Sequence, residues 1–238
     1  MWRNKKVSVV FPTYNEKDSI RNAIENFFNS GYVDEIIVVN NNAVEGTDEE
    51  VKKTKAVLVY EKKQGYGYAI QKGLSVATGE YLIISEPDGT FEGKDVIKLL
   101  AYSDDFDYVL GTRTTKELIW KGANMNFFLK WGNWAVAKMM EFLYNTTTLT
   151  DVGCTMRLIK RPLYEKIKNH FTVGREHFGP EMTLLVIKTG TKFIEIPVNY
   201  KPRVGKSSVT GSMKKAFLLG LKMVFLILKY KFKRTKFK

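Results

Sequence analysis

"YLIISEPDGTF", residues 81–91, is an apolar run that stops abruptly on Glu86-Pro87-Asp88-Gly89. The run is short, β-rich and continuous rather than alternating, which suits a strand covered on both faces. Pro87 disfavours helix at Glu86, so the chain stays extended through the acidic pair. In extended backbone, residues i and i+2 point the same way, with Cα atoms roughly 6–7 Å apart. Glu86 and Asp88 then face one side at the end of a buried strand. Such a pair can hold one Mg²⁺ or Mn²⁺, with a ligand's phosphates completing an octahedron. Pro-Asp-Gly is equally good turn chemistry, so the neighbouring loops decide between the two.

Outward from this strand the pattern repeats. "VSVVF" (7–11), "EIIVV" (35–39), "AVLVY" (56–60) and "YVLG" (108–111) are similar runs. Helix-like pieces at Lys17–Asn29, Asp48–Lys53, Tyr68–Ala77 and Asp95–Tyr102 separate them. Thr47 with Glu50 predicts a capping box at the second helix. Strand–helix alternation implies an α/β fold with a mostly parallel sheet flanked by helices. Ligands of such sheets bind beyond the carboxyl ends of the strands. Those ends read "PTYNE", "NNNAVEGT", "KKQGYGYAIQKG", "EPDGTF" and "GTR", polar or glycine-rich throughout. One crevice is expected, with no domain boundary before about residue 205.

Bulk composition narrows the class. The 238 residues are 44% apolar, enough for a core. Cys154 is the one cysteine, so no disulfide within the chain is available, which fits a reducing compartment. His170 and His177 have no cysteine company, which argues against zinc and for a hard ion on oxygen. The N-terminal apolar run is five residues, too short for a signal-peptide core. Net charge is +13, yet residues 201–238 carry twelve Lys or Arg and no acid, leaving residues 1–200 near +1. Nucleic-acid enzymes more often spread basic charge over the working face. No nucleic acid partner is therefore expected.

Seven motifs in order resemble family 2 glycosyltransferases of the GT-A fold: "FPTYNE" (11–16), "VVNNNAVEGT" (38–47), "GYGYAIQKG" (65–73), "EPD" (86–88), "GTR" (111–113), "DVGCTMRLIKR" (151–161) and "EIPVNYKPRVGKSS" (195–208). The last is similar to a loop of polyprenyl-phosphate hexosyltransferases such as dolichyl-phosphate mannose synthases. The sequence departs from the family at Asn40 and Asn41, where two aspartates are usual, and at Glu86, where the first aspartate of DxD stands. The resemblance implies a Rossmann-like GT-A sheet and inverting, metal-dependent hexose transfer from a GDP- or UDP-sugar to a polyprenyl phosphate. It implies donor contacts from Pro12, Tyr14, Glu16, Asn40, Gln64, Gly67, Glu86 and Asp88. It implies Mg²⁺ or Mn²⁺ on Asp88, with Glu86 and Thr90 assisting.

Guanidinium forks grip phosphate bidentately, so Arg113, Arg157 and Arg203, with Lys206, are expected on the acceptor phosphate. A phosphate acceptor is already ionised and needs no base. A sugar-hydroxyl acceptor, in glycan or polysaccharide synthesis, is the alternative. It needs a carboxylate, and "REHFGPEM" (175–182) offers Glu181 as that base or as an orienting group. Catalytic weight is thus expected on Asp88, Arg113 and Glu181. An inactive nucleotide- or nucleic-acid-binding homologue, disabled at Asn40 and Asn41, is a further alternative.

"AFLLGLKMVFLIL" (216–228) would rise roughly 20 Å as a helix, short of the ~30 Å hydrocarbon core. The basic-aromatic "KYKFKRTKFK" follows it. Together they predict a C-terminal amphipathic helix on an anionic membrane surface, peripheral on the cytoplasmic face. The expected division is a catalytic domain over 1–211 and a detachable tail over 212–238, so a chain ending at Gly211 is expected to stay folded. Burial against the core or in a homo-oligomer is the alternative for this helix. It is also the alternative for residues 118–144, which hold three of the four tryptophans.

Overall fold

A computed structural model of the chain describes residues 1–123, 127–205 and 213–237. Its elements are β1 (Val7–Thr13), α1 (Lys17–Phe28), β2 (Glu35–Asn40), α2 (Thr47–Lys52), β3 (Val57–Tyr60), α3 (Tyr66–Val76), β4 (Tyr81–Ile84), α4 (Val96–Tyr102), β5 (Tyr108–Thr112), α5 (Phe127–Tyr144), β6 (Arg157–Lys160), α6 (Arg161–Ile167), α7 (Phe178–Thr189), β7 (Phe193–Pro197) and α8 (Met213–Phe232). The strands form one sheet in the order β3-β2-β1-β4-β6-β5-β7. Every pairing is parallel except those of β6, which runs antiparallel between β4 and β5.

Four of the five apolar runs are strands covered on both faces; the other, β3, is an edge strand that leaves Val57 and Tyr60 exposed. On one face α1 and α4 pack Ile20, Ile24, Phe27, Leu99 and Leu100 against Val9, Phe11 and Ile83. On the other, α3, α5, α7 and α8 pack Ile70, Leu74, Met140, Met182 and Ile227 against Val10, Ile37 and Ile84. The expected capping box does not form. Gly46, at φ 86°, precedes α2 with no side-chain cap, the Thr47 hydroxyl donates to the Val44 carbonyl, and Glu50 pairs with Lys53. Gly46 supplies the left-handed turn, and that removes the geometry a Thr47 cap needs.

The C-terminal helix is not a detachable tail. Met223, Leu226, Ile227 and Tyr230 of α8 are buried in the same core as the sheet. Tyr144 donates to the Ile227 carbonyl (2.9 Å), and Lys188 Nζ donates to the carbonyls of Tyr230 and Lys233 (2.8 Å each). The second contact places a cation on the negative end of the helix. A separate stripe of α8 stays open: Phe217, Leu221, Phe225, Leu228 and Phe232, spaced by three or four residues. Phe225 is 70% exposed and Phe232 83%. No helix among the described residues is long and apolar enough to cross a membrane.

Candidate active site

The carboxyl ends of β1, β2, β4 and β5 open on one cavity of about 640 Å³. Pro12, Thr13, Tyr14, Glu16, Asn41, Gln64 and Tyr66 line one end, and Glu86, Arg113, Tyr200 and Arg203 the middle. Leu129 and Val136 of α5, with Leu219, Met223 and Val224 of α8, form an apolar far wall.

At the end of β4, Asp88 is fully buried. Its Oδ1 accepts from the Thr90 amide (2.9 Å) and the Thr90 hydroxyl (2.5 Å). Its Oδ2 makes no hydrogen bond and faces Arg203 Nη1 at 2.7 Å as an ion pair. Thr90 is 1% exposed with its hydroxyl spent on Asp88, so it orients the carboxylate rather than offering a ligand of its own. Glu86 lines the cavity. Burial, and then the charge of Asp88, pushes its carboxyl up to about 8. Among the described residues no three His, Cys, Asp or Glu side chains cluster to hold a metal. A divalent ion here would take Asp88 Oδ2 and draw its other ligands from phosphate and water, a mode suited to Mg²⁺. The buried Oδ2, which makes no hydrogen bond and only an ion pair with Arg203, fits that role.

After β1, Glu16 Oε2 accepts from the amides of Tyr14 (2.7 Å) and Asn15 (2.8 Å), and its Oε1 accepts from Arg203 Nη2 (2.7 Å). The two asparagines do structural work. Asn40 donates to Asp48 (2.6 Å) and accepts from the Ala43 amide, which turns it out of the cavity wall. Asn41 donates to the carbonyls of Glu61 and Lys63 and accepts from the Gly65 amide. An aspartate could not make those two donations. The amide at 41 therefore pins the 61–65 loop, and Asn41 rather than the expected Asn40 reaches the cavity.

Gly65, at φ 153°, leads into α3, and a Cβ there would lie 2.1 Å from the Gly174 carbonyl oxygen. Gly67 meets the Val173 carbonyl in the same way and is not in the cavity wall. These glycines admit the 173–174 segment to α3.

Arg113 and Asp151 form a buried bidentate pair, Nε to Oδ2 at 2.8 Å and Nη2 to Oδ1 at 2.9 Å, with the Arg113 amide also on Oδ2. Burial alone would raise the Asp151 carboxyl, but the Arg113 guanidinium outweighs it and holds it below the usual carboxylate range. Behind it, Glu195 accepts from the amides of Thr150 (2.6 Å) and Asp151 (2.8 Å). Arg113 thus lines the cavity while anchored by a buried acid. Arg113→Ala should cost about 3–5 kcal/mol by stranding the Asp151 charge. Arg113→Lys should not rescue it, because an ammonium cannot make the fork. Urea denaturation of the two variants measures this.

Burial pushes the Glu195 carboxyl up to about 7. The folded state then holds a proton between roughly pH 4.5 and 7 that the unfolded state has lost, so this contribution is present at acid pH and falls as pH rises through 7. Relative to Glu195→Gln, the natural protein should lose about 2–3 kcal/mol between pH 4.5 and 7.5, read from paired denaturation curves.

Two expectations are revised by burial. Arg157 is 2% exposed at the cavity floor. Its guanidinium donates to Tyr108 and to the carbonyls of Gly179, Thr155 and Cys154. It braces the floor instead of gripping a phosphate. Glu181 is fully buried and outside the cavity wall. It accepts from Thr172, Val173 and the Tyr230 hydroxyl (2.6 Å), which leaves no carboxylate edge for an acceptor. From the same segment, Arg175 and Glu176, just before α7, line the cavity instead. Lys206 lies outside the described residues.

Comparison with known proteins accounts for this cleft. Residues 8–168 match the family model "Glycosyl transferase family 2". The chain belongs to glycosyl transferase family 2. Among curated relatives, the low-salt glycan biosynthesis hexosyltransferase Agl6 of Haloferax volcanii is 28% identical over 212 residues, 85% of this chain. The chain spans about half (49%) of Agl6. The dolichyl-phosphate hexose transferase of the same organism is 26% identical over 207 residues, 85% of this chain and 86% of that one. Among solved structures, glucosyl-3-phosphoglycerate synthase from Mycobacterium tuberculosis, in complex with Mn²⁺, UDP and phosphoglyceric acid, superposes with a TM-score of 0.74. That superposition has 12% identity over 98% of this chain and 81% of that one. The family 2 chain therefore has the GT-A fold.

Proposed function

We infer that this chain transfers a hexose, with inversion, from a nucleotide-diphosphate sugar to a polyprenyl-type phosphate at a membrane surface. The observation that carries this is the two-ended cavity, with carboxylates and guanidinium groups at the strand ends and the apolar side chains of α5 and α8 beyond them. An amphiphile with a phosphate head and a hydrocarbon tail matches both ends. The relative named as a dolichyl-phosphate hexose transferase supports the same class.

Pro12, Tyr14, Asn41 and Gln64 would frame the nucleoside, and Asp88 would hold the diphosphate through a divalent ion. That ion would neutralise the leaving group. Arg113 would face the acceptor phosphate. The open stripe of α8, with Lys222 and Lys229 beside it, suits an anionic lipid surface. Asn40 and Asn41 do not make the chain inert in this reading, because Asn40 ties Ala43 to Asp48 and Asn41 pins the 61–65 loop at the donor end.

The hydroxyl-acceptor alternative keeps one supporting observation, Glu176 in the cavity wall. Incubating GDP- and UDP-sugars with Mn²⁺ and either a polyprenyl phosphate or a lipid-linked sugar, read by mass spectrometry, separates the two. A glycosyl phosphate product supports the inference. A product only on the lipid-linked sugar, lost in Glu176→Gln, would overturn it. Binding to anionic vesicles should weaken with salt yet persist through the apolar stripe, as sedimentation would measure.

A further inference from the structure

The strap Lys201–Gly205 leaves β7 and crosses the loop that carries Asp88. Its backbone is clamped at two points: the Lys201 amide donates to the Thr90 carbonyl and the Val204 amide to the Asp88 carbonyl, 2.9 Å each. Between these clamps Arg203 reaches into the cleft. One guanidinium nitrogen lies 2.7 Å from Asp88 Oδ2 and another 2.7 Å from Glu16 Oε1, while its Nε is buried with no partner. Arg203 therefore spans two carboxylates from separate strand ends, and it does so on the oxygen atom that Thr90 leaves over.

A divalent ion binds carboxylate oxygen at roughly 2.0–2.2 Å. A guanidinium nitrogen at 2.7 Å fills the same approach to Oδ2, and two cations that close repel strongly in a half-buried cleft. We propose that Arg203 is a built-in counter-cation that reserves the Asp88 site in the substrate-free protein, and that it must leave Asp88 Oδ2 before the metal-bound donor can seat. Its release frees a guanidinium, on a strap whose clamp is then weakened, for the incoming acceptor phosphate. The consequence is an order of binding, donor first and acceptor second, set by one side chain. Until release, a single guanidinium partly offsets the charges of buried Asp88 and partly buried Glu16 from within the chain. This rests on the metal-dependent reading above.

The test measures Mn²⁺ binding to the full chain by electron paramagnetic resonance, without acceptor. Without nucleotide, Arg203→Gln should bind Mn²⁺ at least about 10-fold more tightly than the natural protein, and Arg203→Lys should fall between them because one ammonium cannot span both carboxylates. Adding Asp88→Asn to Arg203→Gln should remove the gain. Lys201→Gln, which deletes a nearby cation paired with Glu92 rather than Asp88, should change the affinity less than about 3-fold. Amide exchange at Val204 should accelerate when the natural protein takes up Mn²⁺ with UDP or GDP. An unchanged or weaker Mn²⁺ affinity in Arg203→Gln overturns the proposal, as does slower Val204 exchange on loading. Loss of metal-free nucleotide binding in Arg203→Gln would make Arg203 the donor's own counter-ion and overturn it as well. If the natural protein binds no Mn²⁺ even with nucleotide, the metal reading fails and this proposal with it. If the natural protein binds Mn²⁺ with nucleotide but the variant gains nothing, this proposal alone fails.

Discussion

Asp88→Asn should cut hexose transfer about 10³-fold or more and abolish Mn²⁺-dependent nucleotide binding, with the fold intact. The substitution is isosteric, and its amide oxygen can still accept from both Thr90 donors. What disappears is the charge on the buried oxygen that Arg203 faces. A metal ion that neutralises a leaving diphosphate supplies several kcal/mol, and about 4 kcal/mol corresponds to roughly 10³-fold. Asparagine is a better test than alanine, because Asp88→Ala also strands Thr90 and loosens the loop. Calorimetry with Mn²⁺ and UDP or GDP gives the binding term, and initial rates give the catalytic one. Turnover within tenfold of the natural protein would falsify the assignment of Asp88.

Deleting residues 213–238 should unfold the chain, not merely release it from lipid. Met223, Leu226, Ile227 and Tyr230 are buried, and each such side chain contributes about 1.5–3 kcal/mol. Their combined loss matches the whole stability of an ordinary domain, about 5–15 kcal/mol. The deletion also takes the Tyr230 hydroxyl from buried Glu181. Replacing Phe217, Phe225 and Phe232 with Ser should instead leave the thermal midpoint within a few degrees and weaken vesicle binding. Circular dichroism and vesicle sedimentation separate these outcomes. A deleted chain that melts cooperatively near the natural temperature would show that α8 contributes little to the core.

The sheet was legible because continuous β-rich runs have few other places to go in a chain this size. Of the acidic pair expected to face the crevice together, only Glu86 lines the cavity, while Asp88 is fully buried against Thr90 and Arg203. β6 escaped notice: "RLIK" (157–160) is four residues with a charge at each end, and its strand character comes from β4 and β5 on either side. The fates of Arg157 and Glu181 could not be read either. Both are saturated by backbone groups that the sequence does not bring near them. The double nature of α8 was partly readable. Apolar residues fall on two faces of its helix with Lys222 and Lys229 between, and a helix apolar most of the way round is usually buried on one side. Asn41 was read as a departure from the family pattern, whereas its amide donates to two carbonyls an aspartate would repel.

The antiparallel strand has a consequence for how the chain acquires its structure. β4 ends at Ile84, but its partner β6 begins only at Arg157. During synthesis the β3-β2-β1-β4 half can pair at once, while the far edge of β4 waits for more than seventy residues to emerge. An unpaired apolar edge is a template for intermolecular pairing, and contacts so distant in sequence slow folding. The core then needs α8 at the end of the described chain. Folding of this family 2 chain is therefore finished late, and the nascent chain between β4 and β6 is the stage at which a holding chaperone would matter most.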